Sequence, residues 1–426
     1  MSSVLIPGER VRTRELRRTR RVSAFGRVRR LDWLMLFAIA GVAALGLDVI
    51  GTGSGGDSFV IRQQIYLGLG GIALCFFAFF DIERFRRLEW LLYIGTIGLV
   101  AVVFLLGFST RGSRRWIQFP FFQFQPSELG KLTLLLALAA LIARNAGRIG
   151  TLRFVLACIA YAGLPTVLVF IEPDFGTALV YLASLVCVLF VAGVRLRHLA
   201  LLGGIAAILA VAVLWALPAG GVEVLKPYQV DRLTSFLHPD RNTLAEGYNQ
   251  SQAKIAVGSG GLVGRGKSGA TQTLNDFLPE RRTDFVFAVL GEERGFVGAM
   301  LLLGLYLVIL WRVLRAVAVA RTLYARLICA GVFGWLLASI FISVGMTIGI
   351  APVTGIPLPL LSAGGSSTIT VLAAIGVVQG IQLRARLPQR LLPEGPPEGP
   401  PEGPPERLPE PLEPAGGEAS TPSQLL

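Results

Sequence analysis

Residues 152–194 read LRFVLACIAYAGLPTVLVFIEPDFGTALVYLASLVCVLFVAGV. Two apolar runs, 152–172 and 175–194, are each long enough to cross a bilayer, because about twenty helical residues span its hydrocarbon core. Only Glu172, Pro173 and Asp174 divide them. Proline has no N–H with which to continue a helix ladder, so the chain is expected to reverse there. Working outward, eight more apolar runs repeat the pattern, at roughly 31–51, 62–80, 88–109, 128–145, 197–218, 284–311, 324–350 and 363–384. Inside lipid every backbone polar group must find its partner within the element. The sequence therefore predicts an all-α integral membrane protein of about ten transmembrane helices, with one large extracytoplasmic loop at about 219–283.

Composition agrees. Of 426 residues 53% are hydrophobic and only 16% charged, and the mean hydropathy is +0.63. A water-soluble domain of this length needs more surface charge. The formal net charge of +13 sits mostly in arginine-rich ends and short loops, where it reads as topology and anionic lipid contact. No recognition motif accompanies it, so no nucleic acid partner is expected. Cys75, Cys158, Cys187 and Cys329 all fall in apolar runs and read as small buried side chains. His198 and His238 are the two histidines; neither joins a cluster with zinc-ligand spacing.

Arginines set the orientation. Ten lie between Arg10 and Arg30, and alternate short loops carry Arg84, Arg86 and Arg87; Arg144, Arg148 and Arg153; Arg195 and Arg197; Arg312, Arg315, Arg321 and Arg326; Arg384, Arg386 and Arg390. A ten-span path puts all of them on one side, which makes that side and both termini cytoplasmic. The basic segment 1–30 lacks a cleavable signal pattern. The tail 385–426 repeats PEGP; proline and glycine at that density do not pack a core, so it reads as a disordered spacer. The membrane domain is then 31–384.

The polar interval holds the chemistry. Residues 258–295 read GSGGLVGRGKSGATQTLNDFLPERRTDFVFAVLGEERG. Within it, Gly261 to Ser268 matches the P-loop pattern literally. The expected outer position, where ATP is absent, and the short loop argue against a nucleotide site. Glycine-rich backbone with Arg265 and Lys267 still suits a different phosphate. Asp284 stands where the next apolar run begins, among Arg281, Arg282, Lys267 and Arg265. It reads either as a helix-start carboxylate or as an ionised general base beside a sugar hydroxyl.

Four further sets are candidates. Glu128 and Lys131 share a helix face and can pair near the site; charge inside a span is costly and is commonly functional or mutually neutralised. Arg114, Arg115 and Trp116 would sit at the outer interface, with forked guanidinium donors for a phosphate and an indole anchor. Asp174 reads as a helix cap or an outer carboxylate. Ser366 and Ser367, after the broken backbone of 354–364, line a cavity or pack among small residues.

Together, QPSELGK (125–131), EPDFGTA (172–178), GSGGLVGRG (258–266), FLPERRTDFVFAVLGEE (277–293) and TGIPLPLLSAGGSS (354–367) resemble, in order, the SEDS proteins of shape, elongation, division and sporulation, the RodA and FtsW group. The likeness covers about 31–384 and is closer to RodA. It implies a peptidoglycan glycosyltransferase of the bacterial cytoplasmic membrane that polymerises lipid II, releases undecaprenyl pyrophosphate and works with a class B penicillin-binding protein in the elongation or division machinery. It makes Asp284 the essential acid, with Glu128, Lys131, Arg114, Arg115 and Trp116 in support. It implies no organic cofactor, and allows a divalent cation, Mg or Mn, at a site the sequence does not identify. Four positions depart from the group's pattern: Arg282 for His, Ala363 for Tyr, Ser343 for Asn and Glu172 for Gln. Arg282 keeps a cation but loses a titratable group. A flippase for lipid-linked precursors and a non-catalytic scaffold are the rival readings.

Overall fold

The computed structural model describes residues 28–53, 55–110, 113–119, 122–211 and 245–386. The basic segment up to residue 27, the start of the expected large loop and the PEGP tail from residue 387 lie outside the described residues. The long helices are α1 (Trp33–Ile50), α2 (Gly56–Phe79), α3 (Glu89–Leu106), α4 (Pro126–Arg144), α5 (Leu152–Ile171), α6 (Phe175–Ala192), α7 (Leu196–Val211), α8 (Ala245–Ser259), α9 (Val286–Val319), α10 (Leu323–Ile348) and α11 (Gly365–Ala385). Among the described residues nine of them, all but α7 and α8, are long and apolar enough to cross a membrane. α7 has 16 described residues, and the remainder of the span expected at 197–218 lies outside them.

Local rules set the helix ends. Asp32 and Asp174 cap α1 and α6 by accepting the N–H groups of Met35 at 3.4 Å and Thr177 at 3.2 Å, and Thr322 caps α10. Pro126 occupies the first turn of α4, where no N–H is needed. Gly193 and Gly349 end α6 and α10 in the left-handed conformation. The bundle then sorts by burial. In α11 89% of the spanning window is buried, against 11% in α2, so α11 is central and α2 lies on the outside, packed on α11. Phe37, Ile72, Leu91 and Leu105 point outward, which suits hydrocarbon and not water.

Charges inside the bundle are paired. At the arginine-rich end, Arg312 on α9 donates to Asp32 at the start of α1 at 2.6 Å, and the Gln379 side chain of α11 accepts from Asp32 N and donates to Asp32 O. This joins the first and last spans. At the opposite end, between α3 and α4, the chain builds three antiparallel strands: β1 (Phe108–Thr110), β2 (Ser113–Gln118) and β3 (Gln123–Phe124), in that order. We call this the sheet end. It also carries α8, the 260–285 segment and the irregular stretch 351–364.

Candidate functional site at the sheet end

The loop before α9 presents Asp284. Its backbone turns on Glu280, whose carbonyl accepts the N–H groups of Thr283, Asp284 and Phe285. The helix cap falls at Phe285, so the half-buried Asp284 stands one residue before the cap of α9. Segment 351–364 closes over it. Ser362 donates to Thr283 O at 2.5 Å, Ala363 N donates to Arg282 O at 2.8 Å, and a Cβ built on Gly355 would stand 3.4 Å from Asp284 Oδ2. Gln63 of α2 donates to Thr368 at 3.0 Å and accepts from Gly364 N at 3.3 Å, securing the start of α11.

A second cluster lies where α4, the α5–α6 turn and α11 meet. Asp174, 2% exposed, accepts from Gln125 Nε2 at 2.8 Å and Ser127 Oγ at 3.3 Å. Arg115 of β2 pairs with it at 3.7 Å and donates to Pro173 O. Ser366 Oγ accepts the Gln125 N–H at 2.9 Å and donates to Gln123 O at 3.2 Å, fastening β3 to α11. One turn into α4, Lys131 Nζ donates to Glu128 at 2.6 Å with both side chains buried, and the ammonium stands 5.4 Å from the centroid of the Trp335 ring. A small cavity lined by Lys131, Leu135, Tyr181, Ser184 and Trp335 lies below it. Glu172 is 2% exposed, and neither carboxyl oxygen has a hydrogen-bond partner. Burial first, and the Asp174 carboxylate second, push it up to about 8, with Arg115 pulling the other way.

Segment 354–356 joins the two clusters. Gly355 abuts Asp284, while Thr354 O lies 2.9 Å from where Gly176 would carry a Cβ, at the first turn of α6. Arg114 is a β2 strand residue opposite Ser109, and Trp116 is half-buried opposite Phe108. Ser367 is half-buried in the first turn of α11.

Each cation that the sequence gathers around Asp284 has an identified anchor in the fold. Lys267 pairs with Asp48 at 2.7 Å. Arg265 donates to Ser259 O at 2.8 Å and Thr271 at 3.4 Å. Arg281 pairs with Asp276 and donates to Thr273 O at 2.7 Å. Arg282 donates to Ile50 O at 3.1 Å and Thr52 O at 3.3 Å and lies 4.6 Å from the Phe59 ring centroid; burial, and then Arg281, lower its pKa.

The P-loop match has a structural explanation. α9 breaks at Gly295 (φ 62°), and the glycine-rich loop fills the break: Arg265 N donates to Glu292 O, Phe296 N to Gly261 O and Val297 N to Leu262 O. Arg265 N is thus spent on helix carbonyls, and the loop carbonyls are spent on helix N–H groups. Asp48, Arg294, Glu292 and Gly355 were not singled out in the sequence. Asp48 had one legible signal, an acid near the end of a membrane span.

The family model described as "Cell cycle protein", covering FtsW, RodA and SpoVE, matches residues 30–387. The chain belongs to this family. Escherichia coli (strain K12) MrdB, named a peptidoglycan glycosyltransferase, is 35% identical over 361 residues, covering 84% of this chain and 95% of MrdB. Treponema pallidum RodA, with the same activity in its name, is 32% identical and is covered over 98% of its length. Among solved structures, a chain described under "Structural coordination of polymerization and crosslinking by a peptidoglycan synthase complex" aligns with TM-score 0.70 at 33% identity, covering 84% of this chain and 98% of that one. Thermus thermophilus RodA aligns with TM-score 0.62 at 31% identity, with the same coverage.

Proposed function

We propose that this FtsW, RodA and SpoVE family member polymerises lipid II at the outer face of the bacterial cytoplasmic membrane, in the service of elongation. The chain is a peptidoglycan glycosyltransferase, as its family relatives are named. The observation that carries the finer reading is the seat of Asp284, a carboxylate at the sheet end closed in by Gly355 and Ser362.

Asp284 takes the proton of the acceptor's 4-hydroxyl. The acceptor oxygen bonds to carbon 1 of the donor sugar from the opposite face, and the bond from carbon 1 to the pyrophosphate oxygen breaks. The electron pair leaves on undecaprenyl pyrophosphate, and the configuration inverts. A pyrophosphate needs no separate acid to leave, unlike the alcohol leaving group of a glycosidase. Cations at the sheet end stabilise the developing charge. Among the described residues no three His, Cys, Asp or Glu side chains gather as a ligand set. The sheet end faces outward, both termini face the cytoplasm, the prenyl tails lie in the bilayer, and a class B penicillin-binding protein cross-links the product.

Reconstituted vesicles with lipid II test this. Wild type makes glycan strands, and Asp284→Asn lowers the rate roughly a thousandfold without loss of folding. Translocation of lipid II with no polymer identifies a carrier instead. Polymer at the wild-type rate from Asp284→Asn removes Asp284 from the mechanism.

A further inference from the structure

The end of α1 organises the cations of the 258–295 segment. Asp48 lies in the last turn of α1, where the helix dipole disfavours a carboxylate and the membrane edge makes its charge costly. Two cations offset that cost. Lys267 Nζ donates to Asp48 Oδ1 at 2.7 Å and to the Asp48 carbonyl at 2.9 Å, and Arg294 pairs with Oδ2. One turn on, the Ile50 and Thr52 carbonyls receive Arg282. Lys267, Arg282 and Arg294, separated by 15 and 12 residues in sequence, are thereby held on residues 48–52 at the end of α1, and of the three Arg282 stands two residues before Asp284 in the chain. Lys267 and Arg294 both remain about half exposed, at 48%. Lys267 keeps one ammonium donor, and Arg294 most of its fork, for an incoming anion.

We propose that Asp48 is a positioning residue of the transferase site, holding Lys267 and Arg294 where they meet the pyrophosphate of the lipid-linked substrate. The inference rests on the glycosyltransferase reading above. Without Asp48 the two side chains lose their fixed point, and the charge that develops on the leaving group meets mobile cations in place of preorganised ones.

Steady-state polymerisation in lipid II vesicles tests it. Asp48→Asn is expected to lower kcat about tenfold with KM changed less than about twofold, the signature of an interaction made in the transition state. In the Lys267→Met/Arg294→Met background the same substitution costs less than about twofold, because coupled residues are non-additive. Asp48→Glu, which keeps the charge, restores most of the rate. Lys267→Met and Arg294→Met lower kcat on their own with Asp48 in place, which tests the claim independently of how Asp48→Asn folds. Wild-type kcat in all three single variants overturns the proposal, as does an equal loss from Asp48→Asn in both backgrounds. Asp284→Asn run alongside separates the two readings: if it retains polymerisation the mechanism fails, and if it is inactive while Asp48→Asn is unaffected only the role of Asp48 fails.

Discussion

Gly355 backs the carboxylate of Asp284: at φ 71° it sits in the left-handed region, and a Cβ there would stand 3.4 Å from Asp284 Oδ2. Glycine meets the backbone demand, because it adopts this conformation without strain, while the added Cβ would only touch the acid at ordinary van der Waals distance. Gly355→Ala costs about 1–2 kcal/mol of backbone strain, which a folded bundle tolerates. The polymerisation rate is expected to fall about tenfold because relief of that backbone strain moves segment 354–356, which backs Asp284, while thermal melting in detergent moves little. A variant with wild-type turnover would show that Asp284 does not depend on this support.

The buried pair Glu128–Lys131 should behave as a unit. Glu128→Gln leaves a cation with 4% side-chain exposure and is expected to destabilise the protein by about 3–5 kcal/mol. Glu128→Gln with Lys131→Met removes both charges and recovers most of that loss. Thermal melting of the two single variants and the double variant measures the coupling, and simple additivity would contradict it.

Glu172 makes stability depend on pH. Its carboxyl titrates near 4.5 in the unfolded chain and at about 8 when folded. Between these values the folded state holds a proton that the unfolded state has released, so stability falls as pH rises. The contribution is fully present below 4.5 and lost by about 8. Glu172→Gln, an uncharged near-isostere, should flatten this slope and melt higher than wild type at about pH 9. Parallel melting curves across that range would place the buried proton elsewhere.

Gly295 tolerates no side chain. A Cβ there would lie 2.7 Å from Leu262 O and against Gly264 N, so it collides with the loop that completes the broken helix. Gly295→Ala should cost more than about 2 kcal/mol, since neither backbone can give way without losing hydrogen bonds. Gly304, further along α9, has nothing within 4 Å of its added Cβ. Gly304→Ala is the matched control, and its yield and melting temperature should be unchanged.

Several features were legible in the chain alone. The reversal at Glu172-Pro173-Asp174, the helix starts at Pro126 and Asp174 and the ladder of apolar runs depend on neighbours in sequence, and most helices stand close to their runs, while α2 starts at Gly56, before the run 62–80, and α9 continues to Val319, past the run 284–311. The Glu128–Lys131 pair was legible for the same reason, being three residues apart on one helix face. The β-sheet at 108–124 was not. Its strands are two to six residues long, too short for an alternation signal, and β3 is fastened by Ser366 from the far end of the chain. What the glycine-rich loop packs against was not legible either, because a glycine-rich pattern records backbone freedom, and whether its donors meet a phosphate or a broken helix is not a property of the segment.

What the sequence by itself determined is the membrane-spanning helical architecture, the alternation of its arginines and the chemical types gathered in five motifs. Hydropathy and charge act locally, on each segment's transfer into lipid. Only the tertiary structure decided which charges meet. Arg281 and Arg282 adjoin in sequence yet part, one to Asp276 and the other to the carbonyls of α1, while Asp48, Lys267 and Arg294 converge from three distant segments. Ion pairing depends on separation in space, and that separation is set by how α1 packs against α9.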